Sequence, residues 1–126
     1  MQKKEFQTPS RLRQALRNRI RELEASLEVA FNRSPLVKCN VYQMARKCGK
    51  PNCICTRGQL HRSMVLSWSE GGQSRLFSIP PERVGELKEK SEEYLRFRRA
   101  RARVTEIGRE IVAVLDQIEK LRREEP

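Results

Sequence analysis

Leu12, Leu16, Ile20, Leu23, Leu27 and Ala30 recur at spacings of 4, 4, 3, 4 and 3, one apolar stripe along a helix, close to a coiled-coil seam. This helix is expected over residues 9–32. Thr8 or Ser10 is its N-cap and Pro9 suits its first turn. Asn32 to Pro35 ends it, because proline disfavours helix in the residue before it. Near the other end of the chain, Val104, Ile107, Ile111, Val114, Ile118 and Leu121 repeat at 3, 4, 3, 4 and 3, a short heptad seam. Val84, Leu87, Tyr94 and Phe97 continue an apolar face upstream with a shift in phase. A second helix is expected over 81–123, opened by Pro81 and weakened locally by Gly85 and Gly108.

The centre has a different period. Val37, Cys39 and Val41 alternate with Lys38 and Asn40, the pattern of a strand over about residues 36 to 45. Ser63 to Ser69 and Gln73 to Ile79 flank Gly71-Gly72, which predicts a β-hairpin stopped by Pro80-Pro81. Tyr42, Trp68 and Phe77 fall on these strands and are assigned to the core of the module, not to a platform for stacked bases. The pattern as a whole predicts an α+β fold in a single domain over 1–126. It comprises an N-terminal helix, an antiparallel β-module over 36–80 and a long C-terminal helix. The two helices are expected to pair as an antiparallel coiled-coil hairpin with the module at one end. Two stripes rarely bury a helix on all sides, so self-association is expected, with a homodimer the simplest form.

Composition sharpens this picture. Hydrophobic residues make up 37% and charged residues 34% of the 126, too little apolar material for a thick interior. No stretch approaches the ~20 apolar residues that cross a bilayer, and MQKKEFQTPSR has no apolar run of the kind a secretory signal needs. A cytoplasmic location without membrane partners is the resulting expectation.

The formal charge is +11 and the pI about 10.2, unevenly distributed. Residues 1–38 hold nine Lys/Arg against four acidic residues, 39–80 six against one, and 81–126 twelve against eleven. Such an electropositive front attracts polyanions, nucleic acid above all.

All four cysteines lie between residues 39 and 55, and in a reducing compartment such clustering favours a metal over disulfides. Cys48, Cys53, Cys55 and His61 supply three thiolates and an imidazole, a set suited to tetrahedral zinc. Lys47, Lys50, Arg57 and Arg62 favour thiolate over thiol there. Cys39 is the alternative fourth ligand, with His61 favoured. A redox or nucleophilic role is disfavoured by the absence of a C-x-x-C pair and of a second histidine. Four protein ligands would leave no open position for a catalytic water, so the zinc is expected to be structural.

The stretch RKCGKPNCICTRGQLH, followed by a Gly-Gly hairpin and FSIP, resembles a family of small bacterial proteins of uncharacterised function. Its shared pattern is a C-G-K-P-x-C-x-C…H motif followed by a long Tyr/Arg-rich helix, and the likeness covers roughly 36–115. The resemblance implies that His61 belongs with the three cysteines and that Cys39 is an individual feature. Where the family pattern has Gly-Pro after the histidine, this chain has Arg62-Ser63.

Residues 96–103 read RFRRARAR. Arg96, Arg99 and Arg103 share one side of a helix with Arg98 and Arg101 nearby, a guanidinium face suited to phosphates or to pairing with Glu92, Glu93 and Glu106. The expected function is therefore a non-enzymatic, zinc-containing DNA- or RNA-binding protein. Its phosphate contacts would come from Arg46, Lys47, Lys50, Arg57 and Arg62 and from Arg96, Arg98, Arg99, Arg101 and Arg103. The alternative is a coiled-coil assembly module that recruits a protein partner. A metalloenzyme is disfavoured, because Glu70 is the only carboxylate between residues 29 and 81.

Overall fold

The computed structural model describes residues 8–126; the reading of the extreme N-terminus falls on residues 1–7 and lies outside them. The order of elements is α1 (Pro9–Ala30), β1 (Asn40–Arg46), a 3-10 turn (Ile54–Arg57), β2 (His61–Glu70), β3 (Gln73–Ser78), a second 3-10 turn (Pro81–Arg83) and α2 (Val84–Arg122). This is the expected α+β arrangement. The chain divides into two compact units, one of residues up to Arg33 with Arg96–Pro126, the other Ser34–Leu95. The continuous helix α2 contributes its first turns to the second unit and the rest to the first.

In the helical unit, Thr8 is the N-cap of α1: its side-chain oxygen accepts from the Arg11 N–H at 3.2 Å and Pro9 opens the helix. The helix closes where the Phe31 N–H reaches the Leu27 carbonyl. Arg19 pairs with Glu110, and Glu22 with Arg103. Advancing along α1 thus means retreating along α2, so the two run antiparallel. Leu12, Ala100 and Ile107 are buried, and Leu16, Leu23, Val104, Ile111, Val114 and Ile118 are partly covered.

The expected stripe on α1 is corrected in one respect. Ile20 and Leu27 stay 47% and 37% exposed, while the partly buried face carries Arg19 and Glu22 beside Leu16 and Leu23. At 3.6 residues per turn, positions 12, 16, 19 and 23 follow one face as well as 12, 16, 20 and 23 do. The ion pairs favour the former.

In the second unit the sheet order is β1-β2-β3, all antiparallel. Gly71 and Gly72 have φ of 55° and 80° between the paired Glu70 and Gln73, the two-residue hairpin whose backbone twist suits glycine at both places. Cys39, Leu66, Ile79 and Leu87 form the buried cluster, with Val37, Val41, Met64, Trp68 and Val84 packed against it. The first strand begins later than expected, at Asn40, because the Val37 N–H is bonded to the Lys90 carbonyl of α2 and not to a strand. Ser91 Oγ donates to the Cys39 carbonyl at 2.9 Å. Trp68 takes its expected place against the core, whereas Tyr42 and Phe77 remain 39% and 43% exposed. A three-stranded sheet is too narrow to cover them.

Candidate metal centre and basic surface

Pairing of β1 with β2 closes the loop that holds the centre. Arg46 stands opposite His61 at the end of the ladder, so Cys48, two residues beyond β1, is brought beside the first residue of β2. Between them the chain turns twice. The Cys53 N–H bonds the Lys50 carbonyl at 3.2 Å, and the Thr56 N–H bonds the Cys53 carbonyl at 3.1 Å. The 3-10 turn then ends on Gly58, at a φ of 100°, a left-handed conformation that costs a side chain about 1–2 kcal/mol.

The ligand atoms of Cys48, Cys53, Cys55 and His61 all lie within 4.8 Å of one another. Cys48 Sγ is 3.6 Å from Cys55 Sγ, and Cys53 Sγ is 3.1 Å from His61 Nε2. Ligands at ~2.3 Å (sulfur) and ~2.0 Å (nitrogen) from one tetrahedral centre stand roughly 3.5–3.8 Å apart, so the four donors suit a single ion. Cys55 is the buried member, Cys53 is half-buried, and Cys48 and His61 are exposed. The Cys48 N–H donates to Cys55 Sγ at 3.4 Å, a backbone-to-sulfur bond that fixes ligand orientation.

Electrostatics differ among the thiols. The backbone N–H of Cys55, then His61 and the neighbouring sulfurs, lower the Cys53 pKa to about 6. At Cys55 the Cys48 N–H favours the thiolate, yet burial and the adjacent sulfurs together hold its pKa above the usual thiol value. Three thiols crowded on one imidazole repel once ionised, and a cation among them removes that conflict.

Cys39, the alternative fourth ligand, stands apart from these four side chains. It sits in the apolar cluster with Leu66, Ile79 and Leu87, outside the ligand group, and burial raises its pKa. A cysteine on a core-facing position behaves as a small apolar residue.

Arg46, Lys47, Lys50, Arg57 and Arg62 are all exposed around this centre, and no ion pair among the described residues engages them. Glu70, the nearest acidic residue in sequence, pairs with Arg75 at 3.6 Å. The arginine run is divided. Arg96, Arg98, Arg99 and Arg101 are exposed, but Arg103 bonds Glu22 and, at 3.0 Å, Glu110, which pushes its pKa up. Arg19 completes the network, with Nε 2.6 Å from Glu110 Oε1, both atoms shielded from solvent. The expected phosphate ligand Arg103 is thus committed to a contact within the protein. Sequence reading missed this tetrad. Its signal was a cation and an anion three apart on α1 and seven apart on α2, each flanking the apolar stripe.

Among the described residues no helix is long and apolar enough to cross a membrane. A narrow antiparallel sheet with a Cys3His donor set at its end, and an antiparallel helix pair, define an α+β protein with a candidate metal site. The chain belongs to the family described as a domain of unknown function, DUF6788, whose profile matches residues 13–89. That stretch contains the ligand loop and most of α1 and ends before the arginine run. No curated protein and no solved structure is found to match the chain.

Proposed function

We propose that this is a non-enzymatic, zinc-containing nucleic-acid-binding protein that acts in the cytoplasm and grips its partner mainly through phosphates. The observation that carries the reading is the set of five exposed, unpaired cations, Arg46, Lys47, Lys50, Arg57 and Arg62, around a thiolate–imidazole centre. Unpaired guanidinium and ammonium groups at fixed positions are what phosphate oxygens require. Zinc suits three thiolates and one imidazole. With four protein ligands it has no open position, so its part is to hold the cations in place, not to activate water.

Fluorescence anisotropy with a labelled oligonucleotide tests this. Affinity should fall linearly with salt on logarithmic axes, the slope growing with the number of phosphates neutralised. Changing Arg46, Lys50 and Arg57 together to Ala should flatten that slope by roughly two to three charges. Absence of binding at low salt would refute the reading.

A second reading, an assembly module, is favoured by Ile20, Leu27, Val112, Leu115 and Leu121, which remain 37–55% exposed on the helical unit. Apolar positions of this kind suit a second copy of the chain or a helical protein partner. Light scattering decides it: a clean monomer at micromolar concentration would count against self-association.

A further inference from the structure

The sequence has no C-x-x-C pair, yet folding brings together two sulfurs from residues seven apart. Cys48 Sγ lies 3.6 Å from Cys55 Sγ, and the Cys48 N–H donates to that same sulfur at 3.4 Å. Cys48 is exposed, whereas Cys55 is fully buried. Cys53 is engaged elsewhere, its sulfur 3.1 Å from His61 Nε2. The thiols of the chain thus divide into a close pair with one accessible member, a thiol facing an imidazole, and Cys39 in the apolar cluster.

We propose that Cys48 and Cys55 form a thiol-oxidation site: hydrogen peroxide converts the pair to a disulfide, and the centre then gives up its metal. The inference rests on the metal reading above and adds a chemical event that empties the site. A disulfide holds its sulfurs at about 2.05 Å, so this pair must close by roughly 1.5 Å. Cys48 lies beyond the end of β1 and before the 3-10 turn, in a segment without strand or helix, so side-chain torsion and a small shift of that segment supply the movement without disturbing the sheet.

Cys48 takes the first step because solvent reaches it. Its thiolate attacks one peroxide oxygen, the O–O bond breaks, and a sulfenic acid and a hydroxide result. The Cys55 thiolate then attacks the sulfenic sulfur, forming the S–S bond and expelling a second hydroxide. Two electrons pass from the sulfurs to the peroxide, and the hydroxides take protons from solvent to become water. The ligand for a metal is the thiolate, and neither sulfur of a disulfide is one. Only Cys53 and His61 remain, two donors where a structural zinc requires four. His61 is the first residue of β2, so loss of the ion removes the tie between the loop and that strand, while the disulfide closes the loop only on itself.

Zinc-loaded full-length protein is treated with a few equivalents of hydrogen peroxide, quenched with an alkylating reagent and digested. A chromogenic chelator reads the zinc released, and tandem mass spectrometry reads which cysteines carry the label. Two thiols should be lost for each zinc released, with label on Cys39 and Cys53 alone. Reduction with dithiothreitol, followed by its removal, should restore label at all four cysteines and the capacity to bind zinc. Zinc released while Cys48 or Cys55 still takes label overturns the proposal. So does sulfinic acid at Cys48 in place of the disulfide, or full retention of zinc and of every thiol. Protein that binds no zinc before oxidation overturns the metal reading instead, and its label pattern still decides whether Cys48 and Cys55 are the oxidised pair.

Discussion

Cys39 and Cys55 are both buried, yet only one belongs to the ligand group, and the difference lies in what surrounds each sulfur. Around Cys39 the neighbours are Leu66, Ile79 and Leu87; around Cys55 they are the Cys48 N–H and two more thiols. Protein purified with bound metal should therefore keep one equivalent in Cys39→Ser and lose it in His61→Ala and Cys55→Ser. Metal analysis of the three variants checks this, and metal lost from Cys39→Ser alone would overturn the ligand assignment. The cost of Cys39→Ser should be confined to folding, about 1–3 kcal/mol for an apolar site that receives a hydroxyl. At this scale the sequence was informative, because Cys3His chemistry is carried by residue types and short spacings. What it could not resolve was competition between Cys39 and His61, since that depends on the β1–β2 register, which sets His61 opposite Arg46 and turns Cys39 into the core.

Among the elements, both helices lie close to their expected bounds, and the hairpin turns at Gly71-Gly72 as the glycines require. The face that α1 presents was less legible. Arg19 and Glu22 are polar, so a search for apolar periodicity passes over them, although their long side chains reach α2. Paired charges of this kind specify alignment better than they add stability, because each ion gives up hydration to form the contact. Hydrogen bonding from Arg103, reinforced by the charges of Arg103 and Arg19, lowers the Glu22 pKa. A carboxyl with a depressed folded-state pKa contributes stability that is fully present above its unfolded value, near 4.3, and lost as pH falls through the lower folded value. The helical unit should thus hold its melting temperature down to about pH 5 and lose it progressively below about pH 4. Glu22→Gln should melt lower at neutral pH and show a flatter acid limb. Thermal melts followed by circular dichroism measure both, and an unchanged acid limb would exclude Glu22 as a source.

For the whole molecule, the division into two compact units predicts that removing metal from the Cys3His cluster would have local consequences. The sheet has few buried residues beyond Val65 and the cluster around Leu66, and small modules of this kind depend on their metal. Hydrogen exchange after treatment with a strong chelator should show amides of β1, β2 and β3 losing protection. Those of α1 and of α2 beyond Arg96 should change little. Uniform loss of protection across the chain would show that the units do not act separately. The two-unit division was hidden in the sequence because α2 reads as one helix from Val84 to Arg122 and nothing in its pattern marks Leu95 as a boundary.

The Glu22–Arg103 contact joins residues 81 apart in sequence, and this bears on how the chain folds. The helical unit is discontinuous: its two pieces can meet only across the loop formed by everything between them. If that intervening segment is already compact, the loop to be closed is effectively short; if it is open, closure requires the search of a long chain. Each doubling of loop length costs only about 0.6 kcal/mol at equilibrium, but long-range contacts govern folding rate much more strongly. Refolding of the helix pair should therefore be slower without metal than with it, though its final stability is nearly the same. Stopped-flow refolding with and without zinc would test whether metal binding sets the timing of helix pairing.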